Sequence, residues 1–169
     1  MLPTKVLYLI MKEAIPNSLT GYKKMYKTRL KTQKFIYLFD QIWGGEFYDH
    51  SWYLAGPYSS TLTRQIYDDL LPSLKEDSPE WDGLRLSDDT MATIERVKTL
   101  ISKVQKEAGE NLSETGAYEL VASIWYLAGK KKGRDTETIK QELLLNKPHF
   151  NDVDDLDEII HLVTDEMNG

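Results

Sequence analysis

Apolar residues recur at helical spacing along most of this chain, and this pattern constrains the fold more than any other feature of the sequence. It is clearest between Ser87 and Gly109, where one face of a long predicted helix carries Met91, Ile94, Val97, Ile101, Val104 and Ala108. Ser87 is suited to cap this helix, because its hydroxyl can accept a hydrogen bond from a backbone N–H of the first turn. The pattern predicts a protein built mainly from α-helices.

The same spacing predicts helices on both sides of this segment. They lie at residues 4–14, from near Thr28 to the pair Gly44-Gly45, and at 62–74, 114–128, 137–145 and 154–167. The helix at 62–74 carries an apolar residue at every fourth position and is expected to end before the turn-rich stretch Asp77-Ser78-Pro79.

Between residues 45 and 60 the pattern changes to short aromatic segments. Phe47-Tyr48 and Trp52-Tyr53-Leu54 flank Asp49-His50-Ser51, which predicts a β-hairpin closed by Gly56-Pro57. Residues 83–86 are a candidate for one more short strand. We therefore expect an α+β fold, predominantly α-helical, with a winged-helix-like core, a small β-hairpin or sheet and additional C-terminal helices.

The chain is expected to form one domain over residues 1–169. A helix–helix–hairpin–helix part would occupy residues 1–86 and a helical part residues 87–169. The sequence has no internal repeat and no long Pro/Gly/Ser linker, and a chain of 169 residues can bury roughly 70% of its unfolded surface.

The sequence contains no cysteine. Disulfides, thiol nucleophiles and zinc–thiolate sites are thereby excluded, and the composition fits a reducing compartment. The apolar run Val6–Met11 is far shorter than the roughly 20 residues that a membrane span needs. We therefore expect a cytoplasmic protein with no membrane partner.

Charge is distributed unevenly along the chain. Residues 1–45 hold eight Lys or Arg against two acids, a net charge of +6. Because the whole chain has a net charge of −6, the remaining residues have a net charge of −12. Acidic residues are densest at the C-terminal end, at Asp152, Asp154, Asp155, Asp157 and Glu158. Such a division indicates a charged partner.

A basic stretch at residues 22–34 is the candidate nucleic-acid surface. Its residues are Lys23, Lys24, Tyr26, Lys27, Arg29, Lys31 and Lys34. The cations could neutralise phosphates, while Tyr22 and Tyr26 could stack on unpaired bases. A solvated helix surface, an acidic peptide or a neighbouring subunit would explain the same residues.

Two segments are candidates for protein binding. The first is an aromatic corner at Trp52, Tyr53, Gly56, Pro57 and Tyr58, which is either a turn that fixes the hairpin or an exposed aromatic hot spot. The second is the acidic group Asp154, Asp155, Asp157 and Glu158, which is either a solvated helix start or a mimic of a phosphate backbone.

Motifs for catalysis, metals or cofactors are not found. His50, His149 and His161 are widely separated and form no HxxxH pair, so no metal site is expected. Residues 129–134 lack the spacing of a phosphate-binding loop. The hydroxyls of Ser59, Ser60 and Thr61 are expected to cap the next helix rather than act as nucleophiles. An enzymatic function stays open only because sites can assemble from residues distant in sequence.

Several segments resemble one known family over most of the chain. They are Leu30–Leu38, Gly45–Phe47, Tyr53–Ser59 with Leu62, Tyr118–Leu127 and Lys147–Phe150. They resemble the YwgA-like family of bacterial, archaeal and phage proteins and, more distantly, Panacea antitoxin domains. The resemblance implies an antitoxin-like role, because related domains bind toxins in toxin–antitoxin systems. This sequence has no macrodomain, so any enzymatic reversal of toxin action would come from elsewhere.

Two functional hypotheses result. The first is a non-catalytic protein-binding domain of a toxin–antitoxin, defence or mobile-element system, whose partner is a toxin or a nucleic-acid-processing enzyme. The alternative is a winged-helix-like regulator that binds nucleic acid through residues 22–34. Neither hypothesis requires a cofactor.

Overall fold

The computed structural model describes residues 1–75 and 79–169, and 71% of them are helical. The helices are α1 (Thr4–Ala14), α2 (Tyr26–Trp43), α3 (Ser60–Arg64), α4 (Leu71–Lys75), α5 (Pro79–Asp82), α6 (Asp88–Ala108), α7 (Glu114–Gly129), α8 (Thr136–Asn146) and α9 (Leu156–Asn168). A π-helical segment, Gln65–Leu70, joins α3 to α4. The predominantly α-helical α+β fold is confirmed, whereas the winged-helix-like arrangement of the core stays a prediction.

Helices α2 and α7 form the centre of the core. Helix α2 packs against α6 and α7, and α7 also contacts α8 and α9. The nine residues from Thr32 to Asp40 are all buried, so the middle of α2 is covered on every side. One cluster of buried apolar side chains extends from Leu2 to Val163 and joins residues 1–86 to residues 87–169.

The ends of two predicted helices are confirmed in detail. Ser87 caps α6, since its hydroxyl accepts a hydrogen bond from the Thr90 N–H at 3.2 Å. Gly44 ends α2 in the left-handed conformation, with φ of +77°, and its N–H donates to the Asp40 carbonyl. Both ends form where the sequence supplies the residue type that the geometry requires.

The hairpin forms later in the chain than expected. Strands β1 (Ser51–Tyr53) and β2 (Gly56–Tyr58) pair antiparallel around Leu54-Ala55, so the prediction that Phe47-Tyr48 is a strand is wrong. The backbone N–H groups of Phe47 and Tyr48 instead donate to the carboxylate of buried Asp40, at 3.1 and 3.2 Å. Asp40 thus satisfies the donors that a strand would have used.

The strand predicted at residues 83–86 is also wrong. These residues form a turn, with the Leu84 N–H donating to the Trp81 carbonyl, and an extended connection to Ser87. Helix α5 docks on α1 instead, because Asp82 accepts hydrogen bonds from Tyr8 at 2.6 Å and Lys12 at 2.9 Å. Of the predicted turn at Asp77-Ser78-Pro79, Asp77 and Ser78 lie outside the described residues, and Pro79 begins α5.

Candidate protein-binding site

A cavity of about 430 Å³ opens between α2, the hairpin and the α3–π segment. We call it the tyrosine cavity. Its lining residues are Tyr22, Tyr26, Arg29, Leu30, Gln33, Lys34, Tyr53, Leu54, Ala55, Tyr58, Thr63 and Tyr67. Five tyrosines and two cations therefore meet at one concave surface, which is a typical composition for a binding site.

The rim of the tyrosine cavity is exposed and apolar. Leu54, in the hairpin turn, is 93% exposed, while Tyr26 and Tyr53 are 61% and 60% exposed. Met25, next to Tyr26 in the chain, is 54% exposed. We call these four residues the hairpin face. Large apolar side chains that stay in solvent at the edge of a cavity are typical of an interaction surface.

Two buried lysines hold the hairpin from below. Lys34 of α2 donates from Nζ to the Pro57 carbonyl at 2.7 Å. Lys147, just after α8, donates to the Leu54 carbonyl at 2.6 Å and to a carboxylate oxygen of Glu119 at 2.9 Å. The hairpin turn therefore has a fixed position relative to α2 and α7.

Lys34 and Lys147, the two lysines that hold the hairpin, differ in their electrostatic environment. The carboxylate of Glu119 neutralises Lys147, whereas within residues 1–75 and 79–169 the one hydrogen-bond partner of the Lys34 ammonium is the Pro57 carbonyl. Burial, together with the nearby Lys147 charge, lowers the pKa of Lys34 to about 8. Lys34 thus holds its proton less tightly than a surface lysine does.

Gly56 allows the hairpin to approach α7 closely. Its φ is +94°, and a Cβ built there would lie 2.7 Å from the Ser123 hydroxyl oxygen. Any larger residue would meet both backbone strain and a clash. The predicted rigid corner at Gly56-Pro57 is therefore a packing contact, since both residues are buried.

A polar network connects α2 to the end of the hairpin. The Gln33 side-chain amide donates to the Ser59 carbonyl at 3.0 Å and accepts from the Ser59 N–H at 2.9 Å. It also donates to the Thr63 hydroxyl, which donates to the Tyr58 hydroxyl at 2.8 Å. Ser59 caps α3 through Leu62, as the sequence predicts. Tyr58 is thereby oriented in the wall of the tyrosine cavity.

The loop before α2 forms the opposite wall. The Arg29 guanidinium donates to the carbonyls of Lys23 at 2.7 Å and Tyr22 at 3.2 Å, which draws the loop onto the helix. Tyr22 packs edge-on against Tyr67 with 5.8 Å between ring centroids, and burial raises the Tyr22 pKa. Arg29 therefore serves partly to shape the wall.

The residues predicted at the aromatic corner separate into two groups. Tyr53 and Tyr58 line the tyrosine cavity, with their rings 5.3 Å apart. Trp52 points to the other side of the strand, where it packs against Tyr126 at 5.4 Å and the Lys147 ammonium at 5.3 Å. Of these three side chains Tyr53 is exposed, whereas Tyr58 and Trp52 are both half-buried.

The predicted acidic residues lie on a different surface. Asp155 and Asp157 are at the start of α9, which packs against α6, α7 and α8. Asp157 pairs with Lys140 at 3.0 Å, Asp154 accepts from Asn111 at 3.3 Å, and Glu158 lies 3.7 Å from His161. The structure does not bring them to the tyrosine cavity.

The predicted basic residues are not one continuous surface. Lys34 is buried, so it does not belong to any exposed basic patch, and Lys31 pairs with Glu114 at 3.0 Å. Lys23, Lys24 and Lys27 are exposed beside Tyr26. Lys23 Nζ lies 5.9 Å from the centre of the Tyr67 ring, whereas Tyr22 is 1% exposed, so the prediction that Tyr22 stacks on a base is wrong.

Sequence reasoning missed three residues of the site. Lys147 supports the hairpin through Leu54, which lies 93 positions earlier in the chain, and Glu119, which pairs with Lys147, lies 28 positions before it. Tyr67, in the π segment, lines the cavity. Lys147 was recognised only as part of the family resemblance. Periodicity could not identify such contacts, because it reports local spacing and not which segments meet in space.

A smaller cavity of about 320 Å³ lies behind the hairpin, beside His50. The imidazole packs against Tyr37, with ring centroids 5.0 Å apart, and its Nδ1 lies 3.2 Å from the Tyr48 carbonyl oxygen. Burial lowers the pKa of His50 to about 4, so the ring is neutral near pH 7. Among the described residues, no group of three or more His, Asp or Glu side chains is arranged to hold a metal ion.

Within the described ranges 1–75 and 79–169, no helix is long and apolar enough to cross a membrane. Comparison of the chain with protein-family models, with curated proteins and with solved structures finds no significant match.

Proposed function

We propose that this chain is a non-catalytic protein-binding domain with an antitoxin-like or inhibitory role, and that the hairpin face is its binding surface. The observation that carries the proposal is the exposure of Leu54, Tyr53, Tyr26 and Met25 around a tyrosine-lined cavity. Tyrosines held on a rigid support are typical of the buried centres of protein interfaces.

The support below the hairpin favours this role. Lys34 and Lys147 hold the turn through its carbonyls, so Leu54 and Tyr53 are presented by backbone that is already ordered. Little conformational entropy would then be lost when a partner covers them. The antitoxin-like role itself rests on the resemblance to the YwgA-like family and to Panacea domains.

Nucleic-acid binding is the second candidate, and Lys23, Lys24 and Lys27 beside Tyr26 are the observation in its favour. Three lysines would give only a small release of counterions, and an apolar residue such as Leu54 adds nothing to phosphate binding. The chain as a whole is also acidic, at −6. We therefore rank the protein-binding role first.

The test is capture followed by neutralisation. The tagged chain is purified from its native host after nuclease treatment, and the captured protein is then expressed with and without the chain in a growth assay. We expect a captured protein that arrests growth alone and is neutralised by the wild-type chain. Leu54→Asp should abolish both capture and neutralisation.

Leu145→Asp is the matched control, because Leu145 is 84% exposed on α8 and does not line the tyrosine cavity. It should leave capture and neutralisation unchanged. Loss of every partner on nuclease treatment would favour the nucleic-acid-binding regulator instead. Equal loss in both variants would show that the hairpin face is not the surface used.

A further inference from the structure

The tyrosine cavity has a charge character that restricts its ligand. Among the described residues that line it, none is Asp or Glu, while Arg29 and Lys34 contribute positive charge. Lys23, Lys24 and Lys27 are exposed and neighbour Tyr26 in the sequence, and Lys23 Nζ lies 5.9 Å from the centre of the Tyr67 ring that lines the cavity. A chain with an overall charge of −6 therefore presents a locally positive and aromatic recess.

We propose that the tyrosine cavity receives one apolar or aromatic side chain from an acidic segment of a partner protein, with carboxylates on both sides of that anchor facing Lys23, Lys24 and Lys27. This inference rests on the protein-binding function proposed above and specifies the chemistry of the partner.

The site is large enough to receive a large apolar or aromatic side chain. A volume of about 430 Å³ lies within the range of small-ligand pockets, about 300–1,000 Å³. The tyrosine walls offer ring faces, and Tyr53, whose ring is tilted against that of Tyr58 at 5.3 Å, is 60% exposed to solvent. An aromatic anchor would complete an aromatic cluster of a kind that is favourable beyond the area it buries.

The contacts of the other cations favour an acidic peptide over a nucleic acid as the ligand. Arg29 is held by two backbone carbonyls, Lys31 by Glu114, and Lys34 is buried beneath Pro57. The exposed lysines that remain are close to one end of α2 rather than spread along it. This arrangement suits two or three carboxylates around a central anchor better than an extended phosphate backbone.

The experiment measures binding of two series of fluorescein-labelled peptides to the full chain by fluorescence anisotropy at low salt. Each peptide has one variable position flanked by three residues on each side, which are acidic in the first series and lysines in the second. The variable position is Gly, Ala, Leu, Phe or Trp.

We expect the acidic peptides with Leu, Phe or Trp to bind at least tenfold more tightly than the acidic peptide with Gly and than every lysine peptide. Lys23→Glu combined with Lys24→Glu should weaken that binding at least tenfold. The matched double variant Lys131→Glu with Lys132→Glu makes the same charge change in an exposed loop after α7, and should change binding less than twofold.

Three results would overturn the inference: acidic and lysine peptides that bind equally, no preference for the large apolar anchors, or a fluorescein-labelled single-stranded DNA decamer that binds more tightly than the acidic peptides. If the captured protein is neutralised but no acidic peptide binds, the peptide inference fails and the proposed function stands. If the acidic series binds as expected and no toxic partner is captured, the proposed function fails and the site chemistry stands.

Discussion

Gly56 shows how a single residue determines the shape of the binding site. Its left-handed conformation reverses the chain after Leu54-Ala55, and the absent side chain lets β2 lie against Ser123 of α7. An aromatic corner was visible in the sequence, but the contact with α7 was not, since Gly56 and Ser123 are 67 positions apart. Local patterns identify the glycine, and only the packing explains why the position must be glycine.

Gly56→Ala is predicted to lower the free energy of unfolding by about 2 kcal/mol or more, since a positive φ and a 2.7 Å clash with Ser123 both oppose a Cβ. Chemical denaturation measures the change. Adding Ser123→Ala should recover part of it, because the clashing oxygen is removed. Gly83→Ala is the control, as Gly83 has open space around it. A loss no larger than that of Gly83→Ala would contradict this account.

Lys34 should make stability depend on pH above neutrality. Its pKa is lowered to about 8 from 10.5 in the folded state, so the unfolded chain binds more protons between these values. The contribution of Lys34 to stability should therefore rise as the pH increases from 8 towards 10.5, by at most about 3.4 kcal/mol. Denaturation at pH 7.0, 8.0 and 9.0 measures the slope, and unfolded tyrosines, with a pKa near 10, are still mostly protonated there. Lys34→Met should reduce the slope of the free energy of unfolding against pH. An unchanged slope would show that other groups cause the pH dependence.

The burial of Lys34 could not be predicted from its position on α2. A basic helix surface is the ordinary interpretation of Lys31, Lys34 and their neighbours, and it is correct for Lys27. The middle of α2 is instead enclosed by α6, α7 and the hairpin. A buried lysine ammonium needs a hydrogen-bond acceptor, and the Pro57 carbonyl of the hairpin is that acceptor for Lys34.

At the scale of elements, the hairpin depends on a chain segment far from it in sequence. Lys147 joins the Leu54 carbonyl to Glu119 of α7, with its own side chain 1% exposed and that of Glu119 15% exposed. A two-stranded hairpin is only marginally stable alone. Its conformation is therefore determined by α2, α7 and the residue that follows α8.

Lys147→Met is predicted to lower the free energy of unfolding by about 3 kcal/mol. It removes the ammonium from the mostly buried Glu119 carboxylate and leaves the His149 imidazole, 3.4 Å away, as its basic neighbour. The double variant with Glu119→Gln should recover part of this loss. Denaturation of the wild type, both single variants and the double variant gives the coupling energy. Strictly additive losses would show that the pair does not act as a unit.

The segment from Ser60 to Lys75 illustrates what apolar spacing predicts and what it leaves open. Leu62, Ile66 and Leu70 recur every four residues and are all fully buried. In an α-helix each such step drifts by about 40°, so the first and third of these residues would differ in direction by about 80°. The wider turn of the π segment at Gln65–Leu70 compensates for that drift. The sequence therefore predicts a helix here, whereas the π geometry arises from packing.

At the scale of the whole molecule, the charge asymmetry is real in sequence but is partly neutralised in the fold. Lys31 pairs with Glu114, Lys12 with Asp82 and Lys140 with Asp157, so basic and acidic segments meet across elements. The positive character that remains beside Tyr26 comes from Lys23, Lys24 and Lys27. Counting charges along the chain indicated a charged partner, and the three-dimensional pairing restricts where that partner could bind.

The helical fold was predictable because it follows from local periodicity and from caps at Ser87 and Gly44. The tyrosine cavity was predictable only in parts: Tyr53, Tyr58, Tyr26 and Arg29 were candidates, but in two separate hypotheses. Sequence reasoning had no means to place the aromatic corner opposite the basic stretch. Their meeting depends on how the hairpin folds back on α2, which involves contacts between residues distant in the chain.

The central claim is that a partner protein covers the hairpin face, and hydrogen–deuterium exchange with and without the captured partner tests it most directly. We predict that the partner protects backbone amides at residues 21–30 and 51–58 and leaves those at residues 152–158 unchanged. Protection confined to residues 152–158, with none at the hairpin, would contradict the account and move the binding surface to the acidic end of the molecule.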